Sequence, residues 1–261
     1  MPRAPDPRTP PAIRVGTAGW SIPRAHRALA GKGESALARY AARFDAVEVN
    51  SSFYRPHRRE TYARWAASVP PGVRFSVKLP RAITHEHALR GALPLLDGFL
   101  DQAGGLGRAL GCLLVQLPPS QAFDARVAAT FFAGLRRRWE GGVACEPRHP
   151  SWFAPRVDAL WQRYRIARVA ADPAPVPAGA VPGGHAGLRY WRWHGSPRMY
   201  WSAYDDDAIA TLASGVVATA PARGDAWVIF DNTAHGHALA DAARLRRRLS
   251  ARTRRRGATA G

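Results

Sequence analysis

The sequence has 261 residues, 46% of them hydrophobic, which is enough for one barrel-sized domain or two small domains, and we expect one. It has two cysteines, Cys112 and Cys145, in or beside apolar runs, and no apolar stretch long enough for a secretory signal or membrane span. These features exclude a disulfide framework and predict a cytoplasmic protein without a membrane partner. The net charge of +19 permits nucleic-acid binding, but only Lys32 and Lys78 of the 38 basic residues are lysines, a skew typical of GC-rich codon usage.

Short β-rich runs recur along the whole chain and predict eight strands. In chain order they are IRVGTAGW from Ile13, AVEVNSSF from Ala46, VRFSVKLP from Val73, CLLVQLPP from Cys112, VACEP from Val143, IARVAADP from Ile166, LRYWRWHG from Leu188 and AWVIFDNT from Ala226.

Helical periodicity follows most of these strands. Examples are the apolar faces formed by Leu37, Tyr40, Ala41 and Phe44, by Tyr62, Trp65, Ala66 and Val69, and by Val157, Leu160, Trp161 and Tyr164. Such alternation requires right-handed crossovers and a parallel sheet, and eight repeats favour a closed (β/α)8 barrel of the TIM type. A doubly wound open sheet is the alternative architecture.

Composition sets the expected limits of this barrel domain at residues 13–249. Residues 1–12 are rich in Pro and Arg, and residues 250–261 lack apolar periodicity, so we expect a disordered arm and a disordered basic tail. The stretch 172–187 contains too much Pro and Gly for a helix and predicts a loop over one end of the barrel.

Each predicted strand becomes polar near its carboxyl end, where the active sites of parallel barrels lie. Alternation along the strands assigns one set of side chains to the interior, and this set is strongly polar. It comprises Glu48, Lys78, Glu146, Arg148, Asp172, Arg192 and His194, with Asp231 or Asn232 from the last strand. A buried salt-bridge network would be a poor source of stability, so we favour a catalytic cleft over a structural network.

Eight motifs in this order resemble the YecE-like family, the domain of unknown function 72. They are GTAGW, VEVNSSFY, FSVKLPRAITH, LLVQLPPS, ACEPRHPSW, AADP, YWRWHGSPRMYWSAY and FDNTAHGHA, between about Ile13 and Leu249. The resemblance implies a barrel fold and a set of motif residues, but it implies no substrate. The residues at matching positions are Glu48, Asn50, Tyr54, Lys78, His85, Gln116, Glu146, Arg148, His149, Trp152, Asp172, Arg192, His194, Gly195, Tyr200 and Tyr204.

The mixed charge of the predicted interior bears on what it would bind. A divalent metal could take Glu48, Glu146, Asp172 and His194, with His85 or His149 from loops, but three cations at the same depth oppose a metal ion. We therefore predict no required cofactor and leave a divalent metal open. Arg148 and Arg192 suit a phosphate or carboxylate, and the aromatic residues of the rim suit a sugar or base.

We accordingly expect an enzyme, a hydrolase, lyase or isomerase, that acts on a small or terminal anionic or polyhydroxylated substrate. The predicted acid–base residues are Glu48, Lys78, Glu146 and His194. The predicted substrate-binding residues are Asn50, Tyr54, His85, Gln116, Arg148, His149, Trp152, Asp172, Arg192, Tyr200, Tyr204 and Asn232. Two alternatives stay open: a nucleic-acid-binding or nuclease-like protein using the basic surface and tail, and a noncatalytic ligand-binding barrel.

Overall fold

The computed structural model describes the backbone of residues 12–258 and the side chains of residues 12–251. Residues 1–11 of the predicted arm and residues 259–261 of the predicted tail lie outside the described residues. Within residues 12–258 the strands are β1 (Ala12–Ala18), β2 (Ala46–Val49), β3 (Arg74–Lys78), β4 (Leu110–Gln116), β5 (Gly142–Glu146), β6 (Ala167–Arg168), β7 (Ala170–Asp172), β8 (Gly183–Gly184), β9 (Leu188–Trp193) and β10 (Asp225–Phe230).

The described α-helices alternate with these strands. They are α1 (Ala36–Ala41), α2 (Ser51–Tyr54), α3 (Arg59–Ala67), α4 (Leu93–Ala103), α5 (Ala125–Arg136), α6 (Asp158–Arg163), α7 (Asp206–Thr219) and α8 (His237–Ala258). Polar residues begin several of them: the side chains of Ser35, Asp124 and Asp205 accept hydrogen bonds from the backbone N–H three residues further on. These caps mark where the loop ends and the helix starts.

The sheet is a barrel, as predicted. Its strand order is β7-β9-β10-β1-β2-β3-β4-β5-β6-β8, and its pairings are parallel except for that between β6 and β8. The short strands β6 and β7 are two pieces of one extended segment, separated only by Val169, and they pair with β5 and β9 respectively. The sheet therefore returns on itself through this segment.

The structure differs from the sequence prediction at three places. The run from Ala46 ends as a strand at Val49 and turns into α2, which lifts Tyr54 out of the sheet. The predicted loop over 172–187 contains a 3₁₀ turn, Pro177–Ala180, and the antiparallel strand β8. Helix α8 continues to Ala258, through most of the segment expected to be disordered, because arginine is a good helix former and elongation of an existing helix is inexpensive.

Apolar side chains form two separate layers. The larger layer lies between the sheet and the surrounding helices and includes Val47, Phe75 and Cys145 from the outer face of the strands. The smaller layer fills the lower half of the barrel interior and consists of Ala46, Cys112, Leu114, Ala144, Ala167, Val169, Leu188, Tyr190, Trp227 and Ile229. The stacked rings of Tyr190 and Trp227, with centroids 6.0 Å apart, belong to this inner layer, above which the interior becomes charged.

Candidate functional site

Arg192 is the centre of the charged layer at the carboxyl ends of the strands. Its guanidinium donates to both oxygens of Glu48 at 3.0 and 2.7 Å, to Glu146 Oε2 at 2.5 Å and to Asp231 Oδ2 at 2.9 Å. Arg192 and Glu48 are completely buried. Burial alone would lower the pKa of Arg192, but Glu48, Glu146 and Asp231 outweigh it and raise the pKa well above its ordinary value. The carboxyl ends of β2, β5 and β10 are thereby joined to β9 through one permanent cation.

Tyr190 completes the lower side of this network. Its hydroxyl lies 2.8 Å from Glu48 Oε2 and 2.9 Å from Ser76 Oγ, at the boundary with the apolar layer. Glu48 therefore has no oxygen directed to the mouth of the barrel, and it acts on the site by holding Arg192. The sequence analysis did not select Tyr190 or Ser76 as site residues, although each lies two residues before a selected one, Arg192 or Lys78, and so shares its strand face.

His194 lies between two carboxylates. Its Nε2 is 3.2 Å from Glu146 Oε1, and its Nδ1 is 3.1 Å from Asp231 Oδ2. Burial would lower the pKa of His194, but Glu146 and the hydrogen bonds to both carboxylates raise it above its ordinary value. Both ring nitrogens can therefore act as donors, and the imidazolium form is favoured.

Lys78 has a different environment from the other buried charges. Its Nζ lies 4.0 Å from the ring centroid of Phe53, and within the described residues it has no hydrogen bond or ion pair to an oxygen. Burial, and then the charge of Arg192, lower the pKa of Lys78 to about 8, although Glu146, Glu48 and Asp231 oppose them. The end of β3 thus carries an amine whose pKa lies close to neutral pH. Sequence analysis missed Phe53, because α2 was read as part of a strand.

The rim above this layer contains Arg148 and the loop after β9. Arg148 is 21% exposed; its Nε donates to Glu146 Oε1 at 3.0 Å and one terminal nitrogen reaches the Tyr200 hydroxyl at 3.5 Å. Tyr200 has a left-handed backbone with φ of 68°, and its ring lies edge-on to His194 at 5.7 Å. A non-glycine residue in this region is uncommon, so the loop holds Tyr200 over the charged layer at some cost in strain.

Asn50 and His85 also belong to the mouth of the barrel. Asn50 Nδ2 reaches Asp231 Oδ1 at 3.5 Å, while its buried Oδ1 has no hydrogen-bond partner among the described residues. The ring of His85 packs edge-on against Phe53 at 4.9 Å. Burial, followed by the charges of Lys78, Arg81 and Arg148, lowers the pKa of His85, so this imidazole favours its neutral form.

The remaining predicted site residues have mainly structural contacts. Gln116 donates to the Leu117 carbonyl, His149 caps the 3₁₀ turn at Pro150–Phe153, and Trp152 donates to the Gln121 carbonyl and stacks on Trp161. Tyr54 is 79% exposed and makes no polar contact with the charged layer among the described residues.

Two predicted orientations near the strand ends differ from the structure. In the sixth predicted strand Val169 joins the inner apolar layer and Ala170 the outer one, opposite to the expected alternation. Asp172 accordingly accepts a hydrogen bond from Tyr204 at 2.7 Å and does not join the charged layer. After β10, Asp231 occupies the site, whereas Asn232 points away and donates to Asp241 at 2.7 Å.

Within the described residues, no group of three or more His, Cys, Asp and Glu side chains is arranged to hold a metal ion. The carboxylates that would ligate a metal instead accept hydrogen bonds from Arg192, Arg148 and His194. Across residues 12–258 no helix has the length and apolar character needed to span a membrane.

Comparison with known proteins places this architecture in a family. Residues 14–260 match the family model described as "Protein of unknown function DUF72". The UPF0759 protein YecE of Escherichia coli K12 is 32% identical over 175 residues, which cover 64% of this chain and 61% of that protein. The chain thus matches less than two thirds of the length of this curated relative.

Solved structures of the same family share the fold. A DUF72 family protein from Enterococcus faecalis V583 superposes with a TM-score of 0.76 at 23% identity, covering 92% of this chain and 96% of that one. A DUF72 family protein from Thermotoga maritima MSB8 has a TM-score of 0.73 at 23% identity, covering 91% and 99% of the two chains. The chain therefore belongs to the DUF72 family.

Proposed function

We propose that the protein is an enzyme that binds a small anionic substrate at the mouth of the barrel and acts on it by proton transfer. One observation carries the proposal: among the buried charges of the interior, Lys78 alone lacks an oxygen partner within the described residues, while Arg192 is paired with Glu48, Glu146 and Asp231. Burying a cation without a partner costs stability, so a reason other than stability is needed for its presence.

The charges around Lys78 support an anionic substrate. Arg148, Lys78 and the protonated form of His194 border the mouth, and Glu146 and Asp231 already accept from Arg192. A carboxylate or phosphate entering here would meet guanidinium and ammonium donors in a partly desolvated setting, where charge-assisted hydrogen bonds are strong. Tyr200, which contacts Arg148, is positioned to cover the bound anion.

The proton-transfer groups follow from the same geometry. Lys78 has a pKa of about 8 and therefore exists in both protonation states near neutrality. Among the described residues, Asp231 Oδ1 has only the long contact with Asn50 and is the carboxylate oxygen of the cluster with the weakest hydrogen bonding. Glu48 and Glu146 use their oxygens to hold Arg192, Arg148 and His194, so we assign them a positioning role.

A thermal-shift screen of phosphates, sugar phosphates and carboxylates would test this function. A ligand of the site should raise the melting temperature of the wild-type protein and of Lys32→Met, since Lys32 is exposed and makes none of the contacts of the charged layer. It should lose this effect in Lys78→Met and Arg148→Gln, and hits should then be assayed for turnover. Ligands that stabilise all four proteins equally would refute the proposed site.

A second function, nonspecific nucleic-acid binding, is supported by the course of α8. The helix continues to Ala258, and the sequence from Arg244 onward contains eight arginines within the helix. A helical array of arginines suits electrostatic contact with phosphates. Truncation after Leu249 should weaken binding to a random DNA duplex and reduce its salt dependence. Unchanged affinity and salt dependence would exclude the helix end as the binding surface.

A further inference from the structure

We propose that Lys78 is a covalent catalyst that forms an imine with a carbonyl substrate bearing an anionic group. The proposal rests on the proposed function and deepens it, because it specifies the class of substrate and the reaction of the amine. Three features of the site support an imine: the hydrogen bonds that occupy the carboxylates of the charged layer, the contact of the amine with an aromatic ring, and the donors of Arg148 that have no partner among the described residues.

The carboxylates near Lys78 are occupied by other donors. Glu48 accepts from Arg192 and Tyr190, and Glu146 accepts from Arg192, Arg148 and His194. Asp231 Oδ2 accepts from Arg192 and His194. If Lys78 were present to neutralise an interior carboxylate, it would have one as a partner. The arrangement leaves its nitrogen lone pair available once the amine is deprotonated.

The surroundings of Nζ lower the pKa of the amine to about 8, mainly through burial and then through the charge of Arg192. The Phe53 ring, whose centroid lies 4.0 Å from Nζ, favours the ammonium by a cation–π contact but has no oxygen or nitrogen that could engage the amine. A desolvated lysine beside another cation is a known way to obtain a nucleophilic amine at neutral pH. Arginine cannot serve this purpose, since guanidinium stays protonated. Lysine occurs here in a chain that has only one other lysine, Lys32.

The reaction needs no oxidant or reductant. Lys78 gives one proton, through an intervening water, to a carboxylate, for which Asp231 Oδ1 is the oxygen with the weakest hydrogen bonding among the described residues. The nitrogen lone pair then forms a C–N bond while the carbonyl π electrons move to oxygen. The oxygen then takes one proton from nitrogen and one from the carboxylic acid, and it leaves as water with the C–O electrons. In sum, an ammonium and a carbonyl give a protonated imine and water.

The protonated imine withdraws electrons from a neighbouring C–H or C–C bond, which suits a lyase or an isomerase.

Arg148 provides donors for the anionic group of the substrate. It is more exposed than Arg192, and only two of its five N–H groups have partners among the described residues, in Glu146 and Tyr200. A carboxylate or phosphate on the substrate could therefore bind Arg148 while its carbonyl carbon meets Lys78.

Reductive trapping tests the inference directly. The protein would be treated with glyoxylate or with acetaldehyde in the presence of sodium cyanoborohydride, and the modified residue would be located by peptide mass mapping. With two lysines in the sequence, the exposed Lys32 is the internal reference. We expect Lys78 to be labelled at least tenfold faster than Lys32 at pH 7, with a rate that reaches half its maximum near pH 8.

Variants separate the parts of the proposal. Arg148→Gln should slow labelling of Lys78 by glyoxylate and leave labelling by acetaldehyde nearly unchanged, because only glyoxylate carries a negative charge. Lys78→Arg keeps the charge and should abolish the adduct, whereas Lys32→Arg should leave the Lys78 adduct intact. Equal or slower labelling of Lys78 relative to Lys32 with both probes would overturn the imine proposal.

The outcome distinguishes this inference from the proposed function. If Lys78 is not trapped but an anionic ligand still stabilises the wild type and not Lys78→Met, the anion site stands and the imine is rejected. If Lys78 is trapped at equal rates with and without Arg148 and no anion stabilises the protein, the amine is reactive but the proposed anionic substrate is rejected.

Discussion

The interior of the barrel contains two polar regions that differ in how completely their charges are paired. The lower region, which we call the inner network, consists of Glu48, Arg192, Tyr190 and Ser76 and is buried with all its main donors and acceptors in use. The upper region, the mouth, contains Lys78, Arg148 and Tyr200, where pairing is incomplete and exposure begins. The inner network therefore fixes the positions of the side chains in the site, whereas the reactive and exposed groups lie at the mouth.

The largest expected effect is the loss of the inner network. Arg192→Met would leave Glu48, Glu146 and Asp231 buried without their shared cation, and we expect a loss of about 3–5 kcal/mol in the free energy of unfolding. Urea denaturation would measure it. The matched variant Arg148→Met, at the mouth, should cost no more than about 1–2 kcal/mol. Similar losses in the two variants would remove the distinction between the regions.

Lys78→Met should increase the free energy of unfolding, whereas Arg192→Met should decrease it. The folded-state pKa of about 8 lies below the ordinary value of 10.5, so burial of the ammonium destabilises the folded protein at neutral pH. Removing the charge should raise the free energy of unfolding by about 1–3 kcal/mol at pH 7. The gain should shrink as pH rises from 8 to 10.5, where the wild-type amine becomes neutral in both states. A destabilised Lys78→Met would show that the amine has a structural partner.

The stability of the protein should depend on pH through two groups of the charged layer, Glu146 and His194. Burial would raise the pKa of Glu146, but Arg192, His194 and Arg148 hold it well below its ordinary value. The ionised Glu146 therefore contributes to the free energy of unfolding above about pH 4.5, and this contribution is lost at lower pH. Because the pKa of His194 is raised in the folded protein, protonated His194 contributes to the free energy of unfolding below about pH 6.5. This contribution is lost as pH increases through the folded-state pKa. In thermal melts, His194→Gln should lack the decrease in melting temperature that the wild type shows as pH rises above the pKa of His194. A decline of wild-type size in that variant would rule out His194 as its source.

The smallest effect is expected at the end of α8. Leu245 is buried in the outer apolar layer, but the residues after Leu249 have no apolar periodicity with which to join it. Truncation after Leu249 should therefore change the melting temperature by no more than about 1–2 °C, whereas Leu245→Ala should cost about 2–5 kcal/mol. A large drop on truncation would mean that the helix end packs on the barrel.

The sixth strand shows where sequence reasoning reached its limit. Its apolar run was correctly identified, but the alternation that placed Asp172 inside the barrel is shifted by one residue in the structure. A short run of alanine and valine has little contrast between its faces, so the period of two does not determine which face is inside. Pairing with β5 and β9 decides it, and Asp172 becomes a partner of Tyr204.

The sequence by itself determined the barrel, its eight strand positions and the gathering of Glu48, Lys78, Glu146, Arg192 and His194 at one end, because strand periodicity and the carboxyl ends of parallel strands are local properties. Only the tertiary structure decided which of these charges are paired. The strands converge so that Arg192 takes all three carboxylates, and Lys78 meets Phe53 from a helix that the sequence pattern had assigned to a strand. Pairing depends on distances between side chains far apart in sequence, and among the described residues this competition leaves the Lys78 amine without an oxygen partner.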